Sequence, residues 1–543
     1  MENTRTISGV IVDIENRTRY GAVITIEKGR IAHIEPDPQV RHPYIVPGFV
    51  DAHVHIESSM LIPSRFAELA VQQGTVGVVT DPHEVGNVAG IPGIEFMIAD
   101  GATVPLQFFF GAPSCVPASP LEKSGAVITA SDVEEMLRRP EFFFLSEMMN
   151  FPGVVNDDKE VHQKLRSAQS MNKPIDGHAP GLSGEGLKKY AEAGILTDHE
   201  CSTLEEALEK LELGMKILIR EGSAAKNFDN LIPLMKQHSE KLMLCTDDCH
   251  PDYLKQGHIN KLVSRAVKAG FDLYDVLAVA CINPVKHYHL PVGLLKIGER
   301  ADFAVVDNLE EFNVLSTFVE GVPVFEKGKV QFSLSAASPP VFPFRENHQP
   351  GRLPVLARGN HVNTIKAIEG ELITGWEKFP CTPGEEVRIE PESDFLKLAL
   401  LDRYEDTPPV VAFITGFGMK HGALACSVAH DSHHIVAVGC DDASLDKALQ
   451  WIVQNKGGMC VVKDGEISGI PLPYFGLMTD KSGPETALDY EQLNQRALSC
   501  GSILSSPFMT LSFMALTVIP HLKINHTGLF DGQTFQSVSL FSD

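Results

Sequence analysis

YIVPGFVDAHVHIE, residues 44–57, runs from an apolar stretch into two histidines one residue apart and then a glutamate. Alternate side chains of an extended chain share a face, so His53 and His55 point together. Two imidazoles converging at the end of a strand suit a metal ion. An isolated H-x-H is more often a pair of polar residues in a turn. The rest of the chain therefore has to decide between them.

Working outward, residues 49–287 repeat a beat of short apolar run, loop and amphipathic helical stretch. The expected strands are YIVPGFVDAHVH, TVGVVTDPH, PLQFFFGA, FFFLSEMM, KPIDGHA, GILTDHE, MKILIREGS and KLMLCTDD. Eight strand–helix units in about 240 residues match a (β/α)8 TIM-type barrel. A doubly wound open α/β sheet has the same local pattern. The barrel is favoured because nearly every candidate strand ends in His, Asp or Glu, and barrels carry their chemistry at that face.

The flanks read as two further units. Residues 1–48 alternate apolar and polar positions around an EKGR turn, and residues 288–334 do so around EKGK. Together they are expected to form one small discontinuous β-sandwich domain interrupted by the barrel. Pro-rich residues 335–354 read as a linker. Residues 355–543, with PVVAFITGF, HHIVAVG and SLDKALQWIVQN, read as a C-terminal α+β domain.

At 543 residues the chain exceeds a single core, and its charge of −24 (46 Lys and Arg against 70 Asp and Glu) disfavours nucleic acid and anionic membranes as partners. MENTRTISGV shows no basic segment leading into an apolar core, and no apolar run reaches the roughly 18 residues that span a bilayer. SSPFMTLSFMALTVIPHL comes nearest, but Ser, Thr and Pro break it, and it reads as a buried strand or helix. The ten scattered cysteines indicate reduced thiols, hence a cytoplasmic expectation. Cys245 and Cys249 flank TDD, where small buried thiols are favoured over a redox pair.

The strand ends supply His53 and His55 (first), Glu147 (fourth), His178 (fifth), His199 (sixth) and Asp247 (eighth). Four imidazoles and two carboxylates meet the needs of two divalent cations sharing one carboxylate. His53, His55 and Asp247 would hold one ion, His178 and His199 the other, with Glu147 between them. Such a pair makes hydroxide available near neutral pH, and Asp247 is placed to carry its proton to a leaving group. This is a site for hydrolysis at a trigonal carbon. Competing motifs fail: DPHEVGN lacks the second His of H-E-x-x-H, GFGMKHG misses the dinucleotide spacing, and there is no P-loop.

VPGFVDAHVHIESS (residues 46–59) resembles the first-strand motif of the amidohydrolase superfamily. TDPHEVGNV, FGAPSCVPASPLEKSGA, LSEMMNFPGVV, DGHAPGLSGEGL, TDHECST, IREGSAAKN and CTDDCHPDYLKQGHI are similar to blocks of one branch, the bacterial-type adenine deaminases. SVAHDSHHIVAVG and IPLPYFGLM extend the resemblance into the last domain. It implies hydrolysis of adenine to hypoxanthine and ammonia at a binuclear centre in purine salvage. Manganese is the expected metal, with iron or zinc as alternatives. The six residues above are the implied ligands and Glu147 the implied bridge. A homo-oligomer, a dimer first, is the expectation for a barrel with appended domains.

Other positions have two readings each. His83 either stabilises the tetrahedral intermediate or binds an ion, or else orients a loop. Glu57 either steadies a ligand imidazole or is a solvated loop acid. Glu221 and Ser223 either meet purine nitrogens or form a structural turn. Asp248 tunes or positions Asp247. His430, His433, His434 and Asp431 either cap the active site from the side or, as favoured, have a structural or interface role. Rival functions are hydrolysis of a cyclic amide or imide on the same fold and, more remotely, a non-catalytic scaffold.

Overall fold

The computed structural model describes residues 4–119, 121–223, 225–334 and 338–543. β1 (Arg5–Asp13), β2 (Thr18–Glu27), β3 (Arg30–Pro36) and β4 (Tyr44–Pro47) open the chain. The turn joining β2 to β3 places Lys28 and Gly29 at φ 50° and 78°, the left-handed pair that a tight hairpin needs.

The stretch expected to be one strand, YIVPGFVDAHVH, is two. It breaks at Gly48, and β5 (Phe49–Val54) starts a different sheet. A Cβ on Gly48 would sit 2.3 Å from a methyl of Val76, so only glycine lets the chain cross here. β5 is followed by β6 (Thr75–Thr80), β7 (Gln107–Ala112), β8 (Phe142–Met148) and β9 (Ile175–Gly177), all parallel neighbours. β10 (Thr197–Asp198), β11 (Lys216–Arg220) and β12 (Leu242–Cys245) form a second parallel group.

Two seams join the groups. Leu196 N–H donates to Ile175 O at 3.0 Å between β9 and β10. Asp247 N–H donates to His53 O at 2.9 Å, and His55 N–H to Asp247 O at 3.3 Å, between the end of β12 and β5. This cyclic order is consistent with a (β/α)8 barrel. Helices follow the strands, several with side-chain caps: Thr129 for Ala130–Arg138, Asp158 for Lys159–Ser170 and Thr203 for Leu204–Glu212.

β13 (Phe303–Val306), β14 (Val314–Val319), β15 (Val322–Glu326) and β16 (Lys329–Val330) return to the opening sheet, whose order is β16-β15-β14-β13-β4-β1-β2-β3. The strands expected to make a sandwich thus follow one continuous hydrogen-bonded path, because β13 pairs antiparallel with β4 and bridges the two halves. Its core packs Ile11, Ile24, Ile45 and Phe303 with Phe318, the last two rings stacked at 4.7 Å.

Of the expected linker, residues 335–337 lie outside the described residues. Residues 338–354 carry no helix or strand, yet Arg345 is buried and donates to Asp402 O at 2.7 Å. The last region is built on a mixed sheet of β17 (His361–Lys366), β18 (Gly375–Pro380), β19 (Leu396–Leu401), β20 (Val410–Thr415), β21 (Ala423–Cys426), β22 (Ile435–Gly439), β23 (Gly458–Lys463) and β24 (Glu466–Pro471). Alternation sends Ala423 and Ala425 to the helix Asp442–Gln454, and sends Leu424 and Cys426 into the large core shared with β5–β9. The apolar run near the C-terminus forms the helix Pro507–Phe513, wholly buried in that core. No helix among the described residues is long and apolar enough to cross a membrane.

Candidate metal centre

The six residues proposed as ligands meet at one end of the strands, all buried. His53 is the penultimate residue of β5 and His55 follows the strand, which brings their Nε2 atoms to 3.2 Å. Glu147, in β8, divides its oxygens. Oε1 lies 3.2 Å from His55 Nε2 and 3.8 Å from His53 Nε2. Oε2 lies 2.7 Å from His178 Nδ1 and 3.2 Å from His199 Nε2. Asp247 Oδ1 approaches the first pair, at 3.2 Å from His55 Nε2 and 3.6 Å from His53 Nε2.

The donor set fits cations. His55 Nδ1 is 3.2 Å from the carbonyl of Asp81, which can only accept, so the proton sits on Nδ1 and the Nε2 lone pair faces inward. That lone pair converges with His53 Nε2 and two carboxylate oxygens, a gathering of acceptors that a divalent ion satisfies. The triads His53–His55–Asp247 and His53–Glu147–His199 each place three such atoms within 4.8 Å.

Burial alone would raise the Glu147 carboxyl, but the nearby His199 and His178 outweigh it and hold the group well below the usual carboxylate range. Burial likewise opposes ionisation of Asp247, and the Arg220 guanidinium with the hydrogen bonds of His53 and His55 reverses the balance. Both therefore stand as anions, the form a metal requires.

Two functional neighbours escaped the sequence reading. Arg220, at the end of β11, donates through Nη1 to Asp247 Oδ2 at 2.6 Å and forks onto Glu200, with Nη2 3.2 Å from Oε2. Glu200 in turn lies 3.4 Å from His199 Nε2 and 3.6 Å from His178 Nδ1. Their signal was present but weak: a strand-end arginine in LIREGS and an acid directly after His199.

His83 joins the site at the start of the helix His83–Gly101. Its Nδ1 binds Asp81 Oδ2 at 2.9 Å, and Nε2 is buried without a hydrogen-bond partner at the cleft wall. Asp248 also lines the cleft and accepts from Ser58 Oγ at 2.5 Å.

Three expectations need correction. Glu57 Oε1 accepts from Val85 N–H at 3.1 Å, so it ties the loop after β5 to the next helix instead of bonding a ligand imidazole. Glu221 turns away to Arg265, Oε1 to Nη1 2.6 Å, because its strand neighbour Arg220 takes the inward face. Ser223 Oγ accepts from His250 N–H at 2.8 Å and is consumed in joining two loops. Neither Glu221 nor Ser223 lines the cleft.

The last domain adds Leu372, His430, Asp431, Phe513 and Leu516 to the cleft lining, so of the two readings of His430 and Asp431 the lining favours the one that caps the site. His434 sits apart, its Nδ1 3.6 Å from Asp402 Oδ1. A neighbouring cavity of about 150 Å³ shares Glu200, Arg220 and Leu372 with the cleft.

Comparison with known proteins is consistent across the chain. Residues 44–324 match the amidohydrolase family and residues 371–536 the adenine deaminase C-terminal domain. A Methanosarcina barkeri protein described as adenine deaminase is 49% identical over 549 residues, covering 99% of this chain and 100% of that protein. A Salinibacter ruber adenine deaminase is 49% identical, with 99% of each chain covered. One from Borreliella burgdorferi is 45% identical, covering 96% of this chain and 97% of that one.

Proposed function

The chain belongs to the amidohydrolase family in its adenine deaminase branch, and from that premise we propose that it hydrolyses adenine to hypoxanthine and ammonia in purine salvage. The observation that carries the reading is Glu147, whose two oxygens are divided between two separate histidine pairs.

His53, His55 and Asp247 would hold one divalent cation, His178 and His199 a second, and Glu147 would touch both; manganese is the favoured metal. Bound there, the pair supplies Lewis acidity that brings the pKa of water towards neutrality. Asp247 Oδ1 takes the proton of the attacking water, whose oxygen forms the new bond to C6. The same carboxylate returns a proton to the 6-amino nitrogen, the C6–N bond breaks, and ammonia leaves. Arg220 keeps Asp247 turned to the site through Oδ2. His83 is anchored by Asp81 through Nδ1; burial opposes charge on its ring, but Asp81 and Glu84 outweigh it, and the protonated ring offers Nε2–H to the oxygen developing on C6.

We read β5–β12 as one (β/α)8 barrel over residues 49–287. Residues 1–48 with 288–334 then form a small β domain, and residues 355–543 an α+β domain. A dimer in the cytoplasm is the setting we propose.

The test is an assay of chelator-stripped protein rebuilt ion by ion, following ammonia and the ultraviolet change from adenine to hypoxanthine. Activity should return with two metal equivalents per chain. Protein that regains both ions yet leaves adenine intact, or prefers a hydantoin or dihydropyrimidine, refutes the reading.

A further inference from the structure

His430 reaches the cleft from the C-terminal domain and has no part in the chemistry above. Its Nδ1 lies 2.6 Å from Glu84 Oε1, and its ring stacks on Phe513 with centroids 4.9 Å apart and planes at 24°. Its Nε2 is buried, without a hydrogen-bond partner, and 3.9 Å from Asp248 Oδ1.

Glu84, His430 and His433 stand close enough to suggest a third cation site. The hydrogen bonds decide otherwise. Ala429 N–H donates to His433 Nδ1 at 3.2 Å, which leaves the His433 proton on Nε2, facing Glu84 Oε2. Glu84 therefore accepts from His433 on one oxygen and from His430 on the other. It is a clamp that fixes the His430 ring. Burial opposes charge on that ring, but Glu84 and Asp248 outweigh it and push the imidazole up to about 9. Both ring nitrogens then carry protons, and the one on Nε2 faces the cleft.

We infer that His430 Nε2–H and the Asp248 carboxylate form a donor–acceptor pair that reads one edge of the free purine base, donating to N3 and accepting from N9–H. This rests on the adenine reading. Ser58 aims the acceptor and Glu84 aims the donor, so both groups are set before substrate arrives. A substituent on N9 deletes the hydrogen that Asp248 accepts and places carbon against a buried carboxylate. The pair thus selects adenine over its nucleosides, and the C-terminal domain supplies half of it.

Two variants separate this role from support of Glu84. His430→Asn keeps a donor where Nδ1 meets Glu84 and deletes the one facing the cleft. His430→Gln places its amide N–H₂ near the Nε2 position. With adenine, His430→Asn should lose about 10- to 100-fold in kcat/KM, the fall lying mainly in KM. Metal content should be unchanged and His430→Gln should recover most of the loss. Preference for adenine over 9-methyladenine should shrink in Asp248→Ala, whereas His430→Asn should weaken both substrates alike, because both keep the N3 acceptor. Wild-type KM in His430→Asn, equal damage in both His430 variants, or loss of metal would overturn the inference. Metal-loaded wild type that is inert towards adenine is the separate result that removes the parent reading and this one together.

Discussion

Glu147 sets its two oxygens between two histidine pairs, the position from which one carboxylate would serve two ions. Its neighbours on β8 alternate between faces, so the glutamate points inward because Met148 and Ser146 do not share its side of the strand. Glu147→Gln replaces one anionic oxygen by an amide that cannot bridge. Metal analysis should show at least one ion lost per chain, with kcat down by about 10²-fold or more. Retention of both ions at full activity would show that the carboxylate does not bridge. At this scale the candidate ligands were legible because H-x-H and strand-end carboxylates are local patterns. Arg220 and Glu200 were not, since an arginine beside a glutamate 20 residues away is an ordinary surface pairing until both are known to be buried.

Among the elements, β10 is the shortest of the parallel strands β5–β12, two residues long, yet it positions His199 and Glu200. Asp198 supplies what the strand lacks. Its carboxylate accepts from Ala179 N–H at 2.8 Å, Glu200 N–H at 3.1 Å and Lys210 Nζ at 2.9 Å. Lys210 is itself fully buried on the helix Leu204–Glu212 and also meets Glu206 at 2.8 Å. Lys210→Met strands Asp198 as a buried anion and should cost about 3–5 kcal/mol. Urea unfolding of the metal-loaded variant checks this, and an unchanged midpoint would contradict it. Hairpins were legible in the sequence from EKGR and EKGK alone, since left-handed turns are a local demand. The break at Gly48 was not, because the methyl that forbids a side chain there belongs to Val76.

For the molecule as a whole, the C-terminal domain is part of the cleft. Lys523, fully buried, donates through Nζ to Leu372 O at 2.6 Å and Phe513 O at 3.2 Å, tying together two segments of the cleft wall. Burial lowers its amine to about 7. Between about pH 7 and the ordinary lysine range near 10.4, the unfolded chain holds a proton that the folded chain has released, so this group makes stability rise with pH. The slope is at most about 1.4 kcal/mol per pH unit. Lys523→Met removes the dependence. Its melting temperature relative to wild type should be highest near pH 6 and should decline towards pH 10. A difference that stays flat across that range would show that Lys523 does not release its proton on folding.

The sequence by itself determined the alternation of strands and helices, the hairpin turns, the six ligand candidates and the family. Each is written in local spacing or in long matching blocks, and local patterns survive without knowledge of the partner. Only the tertiary structure decided which strand-end acids face the cleft, which turn outward to a cation such as Arg265, and that His430 meets Asp248. Those outcomes depend on burial and on neighbours distant in the sequence, where the strength of a charge or a hydrogen bond is set by what the fold removes from water.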